Sequence, residues 1–205
     1  MAKKITLPKP QVFSLTLDTK NIRPEQIVEV DSRKGIFVGS VDFGEGNKEL
    51  NVVRENGAQI VYATIGIEKL LEDLILIYFF GPFFGPDERR DFFVHNLLQS
   101  SSLEFAFKKE LTLKIINKSS LLSGKKKSTL QTNLKNINVW RNAFAHGRLE
   151  HDNLSGSLVR YFSGTEQILR LDDEYWTTVE NCFKETHSAL KEAIDRLKQS
   201  TETGT

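Results

Sequence analysis

The segment AQIVYATIGIEKLLEDLILIYFF, residues 58–80, indicates the fold class of this chain. Its apolar residues recur every three or four positions, which is the spacing of one face of an α-helix. These residues are Ile60, Ala63, Ile67, Leu70, Leu74 and Ile77. The next segment, GPFFGP, contains the glycine and proline residues that end a helix. We therefore expect one long amphipathic helix whose apolar face is buried against other helices.

Four further helical patterns follow this segment. They predict helices over about 87–99, 104–118, 128–146 and 174–199. Serine residues should cap the helix over 104–118, and Gly147 should end the helix over 128–146. Asp172 or Asp173 should cap the start of the last helix. Before that last helix, GSLVRYF and EQILRL, joined by SGT, predict a β-hairpin. The expected fold is mainly α, a bundle of four or five helices with a β-hairpin inserted before the final helix.

The first part of the chain has a different pattern. Short runs rich in β-branched and aromatic residues, such as VFSLTL, QIVEV and GIFVGSVDF, alternate with proline and glycine. We expect a β-rich arm or small sheet over residues 1–57. The helical bundle is then assigned to 58–147 and 172–200, and the β-hairpin forms an insertion over 148–171.

Composition limits the classes of protein to consider. Cys182 is the only cysteine, so an intrachain disulfide or a cysteine-rich zinc site is excluded. The longest apolar run, LILIYFF, is far shorter than the roughly 20 residues that span a bilayer. The lysine pair near the start is not followed by the apolar run of a signal peptide. We therefore expect a cytoplasmic protein without a membrane segment.

Positive charge is concentrated in one part of the chain. From Lys108 to Arg148 there are ten basic residues and one acidic residue, a net charge of +9, whereas the whole chain carries +1. Such asymmetry favours a polyanionic partner. The alternative is a lysine-rich, solvated helix face beside a flexible GKKKS loop.

Two stretches place a histidine five residues after an arginine. These are Arg90 to His95 in RRDFFVHN and Arg141 to His146 in WRNAFAHG. Arg90 falls in the first turn of its predicted helix, and His95 falls among apolar residues in mid-helix. We assign this first pair to a surface arginine and a partly packed histidine without a chemical role.

The second pair breaks the pattern of its helix. Leu130, Leu134 and Ile137 form an apolar stripe, and Arg141 occupies the next position of that stripe. A buried guanidinium needs a carboxylate, a polar interface or a ligand phosphate. Asn142 and His146 share a helix face, and His146 lies in the last turn, where the helix dipole favours its charged form. An imidazole beside a fixed cation can move protons around a phosphodiester.

The stretch RNAFAHG, late in the fourth helix, resembles the R-x4–6-H signature of the HEPN superfamily. The preceding LEFAFKKELTLKIIN is similar to the branch that includes the mannitol operon repressor family. The resemblance covers about 58–147 and the final helix. It implies a homodimeric helical bundle that acts as a metal-independent endoribonuclease without a cofactor, as toxins and antiviral effectors of this superfamily do. The matching residues Arg141, Asn142 and His146 would line a cleft shared by two subunits.

The resemblance also implies how RNA would be cleaved, by attack of its own 2′-OH. His146 from two subunits would act as base and acid, Arg141 would hold the non-bridging oxygens, and Asn142 would bond the imidazole or the RNA. Six further cations would attract the RNA backbone. They are Lys108, Lys109, Lys125, Lys126, Lys127 and Arg148. DNA should resist, because the nucleophile belongs to RNA.

Other interpretations stay open at this point. The chain could be a regulatory or protein-interaction module, similar to the mannitol operon repressor family. Arg141 could also have a structural role, in a buried ion pair with Glu68. It could also bind nucleic acid without cutting it. An antitoxin or regulatory protein is a further expected partner, although the tyrosine that HepT toxins present for adenylylation is Arg148 here. His146, His151 and Asp152 lack a further ligand nearby, so no metal is expected.

Overall fold

The computed structural model describes residues 4–5, 7, 27–30, 33–36, 44–82, 87–100, 103–152 and 156–202. Within these ranges the chain is mainly helical, with five α-helices and two small antiparallel sheets. The larger sheet is inserted before the last helix, so the predicted fold class is confirmed. None of the helices in these ranges combines the length and apolar character that a bilayer crossing requires.

The helices and strands follow one another in a simple order. The helices are α1 (Gly44–Phe80), α2 (Glu88–Phe93), α3 (Phe105–Lys118), α4 (Gly124–His146) and α5 (Asp173–Glu202). A π-helical turn, Val94–Leu98, directly continues α2. The strands are β1 (Ile27–Val30), β2 (Arg33–Ile36), β3 (Arg148–Asp152), β4 (Gly156–Ser163) and β5 (Thr165–Arg170). Strand β4 is the centre of the larger sheet and pairs with β3 on one side and β5 on the other.

Helix α1 is the central element of the bundle. It packs against α3, α4 and α5, and α4 also packs against α5. The largest side chains in this core are almost completely buried. On α1, α4 and α5 they are Ile60, Ile67, Leu71, Leu74, Ile75, Leu130, Leu134, Trp176 and Phe183. The apolar stripes predicted for the first, fourth and last helices therefore meet one another.

Helix α1 begins at Gly44, well before the predicted start at residue 58. The proposed boundary of the β-rich arm at residue 57 is therefore wrong. Val53 and Ile60 are both fully buried seven residues apart, so the apolar stripe extends upstream of the predicted start. Gly57 concealed this extension, since glycine weakens the helical signal. Strands β1 and β2 do lie in the expected β-rich region, whereas VFSLTL, residues 12–17, lies outside the described residues.

Helix α4 also begins earlier than predicted, at Gly124. The segment Lys125–Lys127 is therefore the first turn of this helix and does not belong to a loop. The residue at the N-cap of α3 is Glu104, whose side chain makes no capping hydrogen bond, so the predicted serine cap of this helix is wrong. The cap of α5 is confirmed, because the backbone N–H of Tyr175 donates to Asp172 Oδ1 at 2.7 Å.

The predicted β-hairpin is confirmed as β4 and β5. Ser163 pairs with Thr165 across Gly164, whose φ of +74° favours glycine. Strand β3 was not predicted, because its sequence RLEHD is polar apart from Leu149 and shows no clear alternation. It pairs along β4 and brings the chain directly from the end of α4 into the sheet.

Candidate functional site

A cleft of about 870 Å³ lies beside the C-terminal half of α4. Its volume is in the range of roughly 300–1,000 Å³ that is typical of ligand sites. Its walls come from α1, the start of α3, the segment between α2 and α3, α4, and the end of β4. The polar and aromatic residues on these walls include Glu68, Gln99, Glu104, Lys108, Asn138, Arg141, Asn142, His146, Tyr161 and Phe162.

Arg141, Asn142 and His146, the predicted catalytic residues, all line this cleft. Arg141 is half-buried, and its Nη1 donates a hydrogen bond to Asn142 Oδ1 at 3.2 Å. His146 is the last residue of α4 and its side chain is exposed. On a regular helix Arg141 and His146 would point about 140° apart. The structure nevertheless places both on the wall of the same cleft.

The last turn of α4 is held by contacts on several sides. Ala143 is completely buried, and Phe144 packs beside Trp176 of α5 with ring centroids 6.0 Å apart. Phe144 also covers Gly57 of α1, where any Cβ atom would collide with its ring. The position of His146 is therefore set by packing on both neighbouring helices.

Gly147 ends α4, as predicted, but for a different reason. Its φ is −83°, which any residue adopts. A Cβ atom at this position would collide with the Ala143 carbonyl oxygen and the Val159 side chain, and would lie 3.1 Å from the Arg160 carbonyl oxygen. The glycine therefore lets β4 approach the end of α4 closely.

The guanidinium of Arg141 forms no ion pair with any residue that the structure describes. Glu68, which could have paired with Arg141, accepts a hydrogen bond from Lys108 Nζ at 2.5 Å. Glu72 accepts a second one from the same atom at 2.7 Å. Within the described ranges, the expected ion pair between Arg141 and Glu68 is therefore absent. Arg141 keeps its charge available on the cleft wall.

Lys108 is not the surface cation that was predicted to attract RNA. Its side chain is only 5% exposed and lies between Glu68 and Glu72. Burial alone would lower the pKa of Lys108, but its hydrogen bonds to these two carboxylates outweigh burial, and the pKa is raised. Since Glu68 and Glu104 also line the cleft, the chain does not present a uniformly positive groove.

The other predicted RNA-binding cations lie outside the cleft. Lys109 pairs with Glu110 at 3.2 Å. Three more lie in the first turn of α4, about 30 Å from His146 at 1.5 Å per residue. Of these, Lys125 is exposed, Lys126 pairs with Glu192, and Lys127 donates to Asn117 Oδ1 at 2.7 Å. Arg148 is 84% exposed, and its Nε lies 3.6 Å from Glu150 Oε1.

Neither Arg90 nor His95 lines the cleft. His95 lies in the π-helical turn after α2, where it is exposed rather than partly packed. Its Nδ1 lies 3.3 Å from Gln99 Oε1. This histidine provides a natural control for His146, because both are exposed and only one lies in the cleft.

The cleft residues that were not predicted include Asn138, Tyr161 and Phe162. Asn138, Asn142 and His146 follow one another at four-residue spacing, so a polar stripe on α4 could have revealed Asn138. Tyr161 and Phe162 come from β4, more than ten residues after the motif. No sequence signal indicated that the hairpin would reach the cleft, because its approach depends on Gly147 and on the unpredicted strand β3.

His151 is engaged elsewhere. Its Nδ1 lies 3.1 Å from Ser157 Oγ and 3.8 Å from Glu49 Oε2 of α1. Among the described residues there is no group of three or more histidine, cysteine, aspartate or glutamate side chains suited to hold a metal ion. The interaction of His151 instead ties β3 to β4 and to the N-terminal half of α1.

No protein-family model, curated protein or solved structure matches this chain. The residues that indicate the chemistry of the cleft are therefore its own, above all Arg141, Asn142 and His146 of the stretch RNAFAHG, which resembles the HEPN motif.

Proposed function

We propose that this chain is a metal-independent endoribonuclease that cleaves RNA by 2′-OH attack. The observation that carries the proposal is that one cleft contains both a guanidinium without a carboxylate partner among the described residues and an exposed imidazole. The guanidinium belongs to Arg141, and the imidazole belongs to His146. In this proposal the protein acts in the cytoplasm as a toxin or antiviral effector that a partner protein restrains.

The reaction requires two proton transfers and stabilisation of negative charge. One base removes the proton of the 2′-OH, whose oxygen then attacks the adjacent phosphorus. The bond from phosphorus to the 5′-oxygen breaks, and an acid gives this oxygen a proton. The products are a 2′,3′-cyclic phosphate and a free 5′-OH. Arg141 would bind the non-bridging oxygens through paired N–H donors, while Asn142 holds the guanidinium in place.

We infer that a second copy of the chain completes the site. His146 is the one histidine among the described residues that line the cleft. A base and an acid are both needed, so in a homodimer the partner's imidazole would take the second role. This arrangement agrees with the exposure of His146 at the end of α4.

The proposal is tested by incubating mixed cellular RNA with the protein in EDTA. Wild type should cut RNA and leave DNA intact, whereas Arg141→Ala and His146→Ala should each lose activity about 100-fold or more. His146 would supply acid–base catalysis and Arg141 would stabilise the negative charge, and each effect contributes at least about that much. His95→Ala, which alters an exposed histidine outside the cleft, should cut like wild type. Intact RNA with wild type, or loss of cutting in His95→Ala, would contradict the proposal.

A mixing experiment tests the shared site. If each site needs His146 from both subunits, mixed dimers with one His146→Ala subunit are inactive. Wild type and His146→Ala are mixed in equal amounts, and the mixture is compared with wild type at the same total protein concentration. Random pairing of subunits then leaves about a quarter of the wild-type activity. A fall to half would show that each subunit cuts independently.

A second candidate function is a protein-interaction or regulatory module. It is favoured by exposed apolar side chains near the end of α1 and on the α2 segment. Phe79 is 53% exposed, Phe92 63% and Leu97 42%. Such a group can mark a protein-binding surface. This function would be preferred if wild type left RNA intact at every salt concentration and pH, and bound a partner through Phe92.

A further inference from the structure

Phe162 is unusual because its ring is left in water. It is 78% exposed, the highest value among the large apolar side chains that the structure describes. Burying a phenylalanine side chain stabilises a protein, so exposing one forgoes that stabilisation. Phe162 lies at the end of β4 and lines the same cleft as Arg141 and His146. A ligand in this cleft would therefore meet the ring.

The ring is carried by a braced element. In the register of β4 and β5, Phe162 pairs with Glu166, and Arg160 lies on the same face of the sheet. Arg160 bridges the strands, with Nη1 3.0 Å from Glu166 Oε2 and Nη2 3.5 Å from Glu150 Oε2. These contacts join all three strands, so the hairpin can present Phe162 at a defined place on the cleft rim.

We propose that Phe162 is a stacking platform for an RNA base next to the scissile phosphate, and that the cleft therefore selects single-stranded RNA. The inference rests on the proposed ribonuclease function. Proteins bind single strands by combining cations for the backbone with aromatic rings for the bases. In a duplex the bases are stacked on one another and are not available to a side chain. Phe162 and Arg141 would supply the two kinds of contact in one cleft.

The surroundings of the ring favour RNA over an apolar protein segment. The cleft that Phe162 lines also contains Ser163, Gln99, Asn138 and Arg141. These side chains can bond or attract the sugar, the base edges and the phosphate of a nucleotide. An apolar side chain of a protein partner would instead bring these polar groups out of water without giving them hydrogen-bond partners.

The test measures RNA binding in the full-length His146→Ala variant, which should not cut the probe. The probes are a fluorescein-labelled oligouridine and a labelled RNA duplex of the same length. Adding Phe162→Ala should weaken binding of the single strand by roughly 5- to 150-fold, the effect of losing one stacked base. Binding of the duplex should hardly change. Phe162→Trp should restore binding, and Phe92→Ala, which removes an exposed ring outside the cleft, should have no effect.

The outcomes separate this inference from the proposed function. If wild type cuts RNA but Phe162→Ala binds and cuts as well as wild type, the stacking inference is wrong and the nuclease remains. Equal losses on single strand and duplex would overturn the selection of single strands. If Phe162→Ala keeps its RNA affinity but loses self-association, the ring belongs to a protein interface. If wild type neither cuts nor binds RNA, both proposals fail together.

Discussion

At the scale of single residues, Lys108 shows how position on a helix changes the role of a charge. It is adjacent to Lys109, yet Lys108 pairs with two carboxylates of α1, whereas Lys109 pairs with the neighbouring Glu110. The spacing of residues on α3 explains this difference. Phe105, Thr112 and Ile115 are buried, and position 108 lies three or four residues from its neighbours on that same buried face. Glu68 and Glu72 lie four residues apart on α1, and both carboxylates accept hydrogen bonds from the Lys108 ammonium group.

Replacing Lys108 should destabilise the protein. Lys108→Met leaves Glu68 without a cation among the described residues, and leaves Glu72 with Lys69 alone, at 3.4 Å. The expected loss is about 3 kcal/mol of unfolding free energy, the lower end for a broken buried ion pair, because Glu68 is 26% exposed. Lys114→Met, at an exposed position of the same helix, should change stability by less than about 0.5 kcal/mol. Urea unfolding of both variants measures the difference, and equal midpoints would contradict the assigned ion pair.

Cys182 should resist modification until the protein unfolds. Burial raises the pKa of its thiol from 9.0 to about 12, and its Sγ–H donates to the Asn133 carbonyl at 3.6 Å. Because the thiolate is the reactive form, alkylation by iodoacetamide at pH 9 should be much slower in the folded protein than in denaturant. Mass spectrometry measures the rates. Similar rates in both states would contradict the burial of this residue.

The same pKa shift links stability to pH. Below about pH 9 both the folded and unfolded chains keep the Cys182 proton. Between about pH 9 and 12 the unfolded chain loses it first, so this group makes stability fall as the pH rises. Cys182→Ala should therefore show a smaller decline over this range than wild type, as measured by thermal unfolding.

At the scale of secondary structure, the junction of α4 and β3 controls the site. Gly147→Ala should destabilise the protein by about 2 kcal/mol, the usual cost of overpacking, because the new methyl group meets backbone that cannot move easily. It should also lower RNA cleavage, since His146 precedes it. Gly124→Ala at the opposite end of α4 should cost about 1 kcal/mol for its φ of +51° and leave cleavage unchanged. Unfolding and cleavage assays on both variants distinguish strain in general from displacement of the site.

Elements with a regular apolar pattern could be predicted from the sequence, and others could not. Apolar stripes predicted the central part of α1, the end of α4 and α5. The SGT turn between two apolar runs predicted the β4–β5 hairpin. The early start of α1 was missed because Gly57 serves a tertiary contact with Phe144. Strand β3 was missed because it is a mostly polar edge strand that depends on its partner β4.

Part of the lining of the candidate cleft could be predicted in the same way. The motif on α4 was found because Arg141 interrupts an apolar stripe. The fully buried positions near it are Ile137, Trp140 and Ala143, so the stripe turns away and leaves Arg141 half-buried at the cleft. Contacts contributed by distant segments, such as Glu68 and Phe162, depend on packing that the order of residues does not express.

At the scale of the whole molecule, tertiary ion pairs balance only part of the positive charge between Lys108 and Arg148. Among the described residues, Lys108 pairs with two carboxylates of α1, and Lys126 pairs with Glu192 of α5. If all six predicted cations bound RNA, the logarithm of the binding constant would fall with the logarithm of salt concentration with a slope of about −4. Binding through Arg141 and Arg148 alone should give about −1.4 for a single strand. Fluorescence anisotropy between about 50 and 200 mM salt measures this slope. A value near −4 would show that the distant lysines at the start of α4 take part.

The fit of Phe144 over Gly57 restricts how this chain could diverge in evolution. The two positions lie far apart in sequence, yet a side chain added at position 57 would collide with the Phe144 ring on the helix that carries Arg141 and His146. In descendants of this gene, a larger residue at position 57 should appear only together with a smaller one at position 144. If a descendant keeps Arg141 and His146 but has a larger residue at position 57 together with Phe144, its helices α1 and α4 must pack differently from those described here.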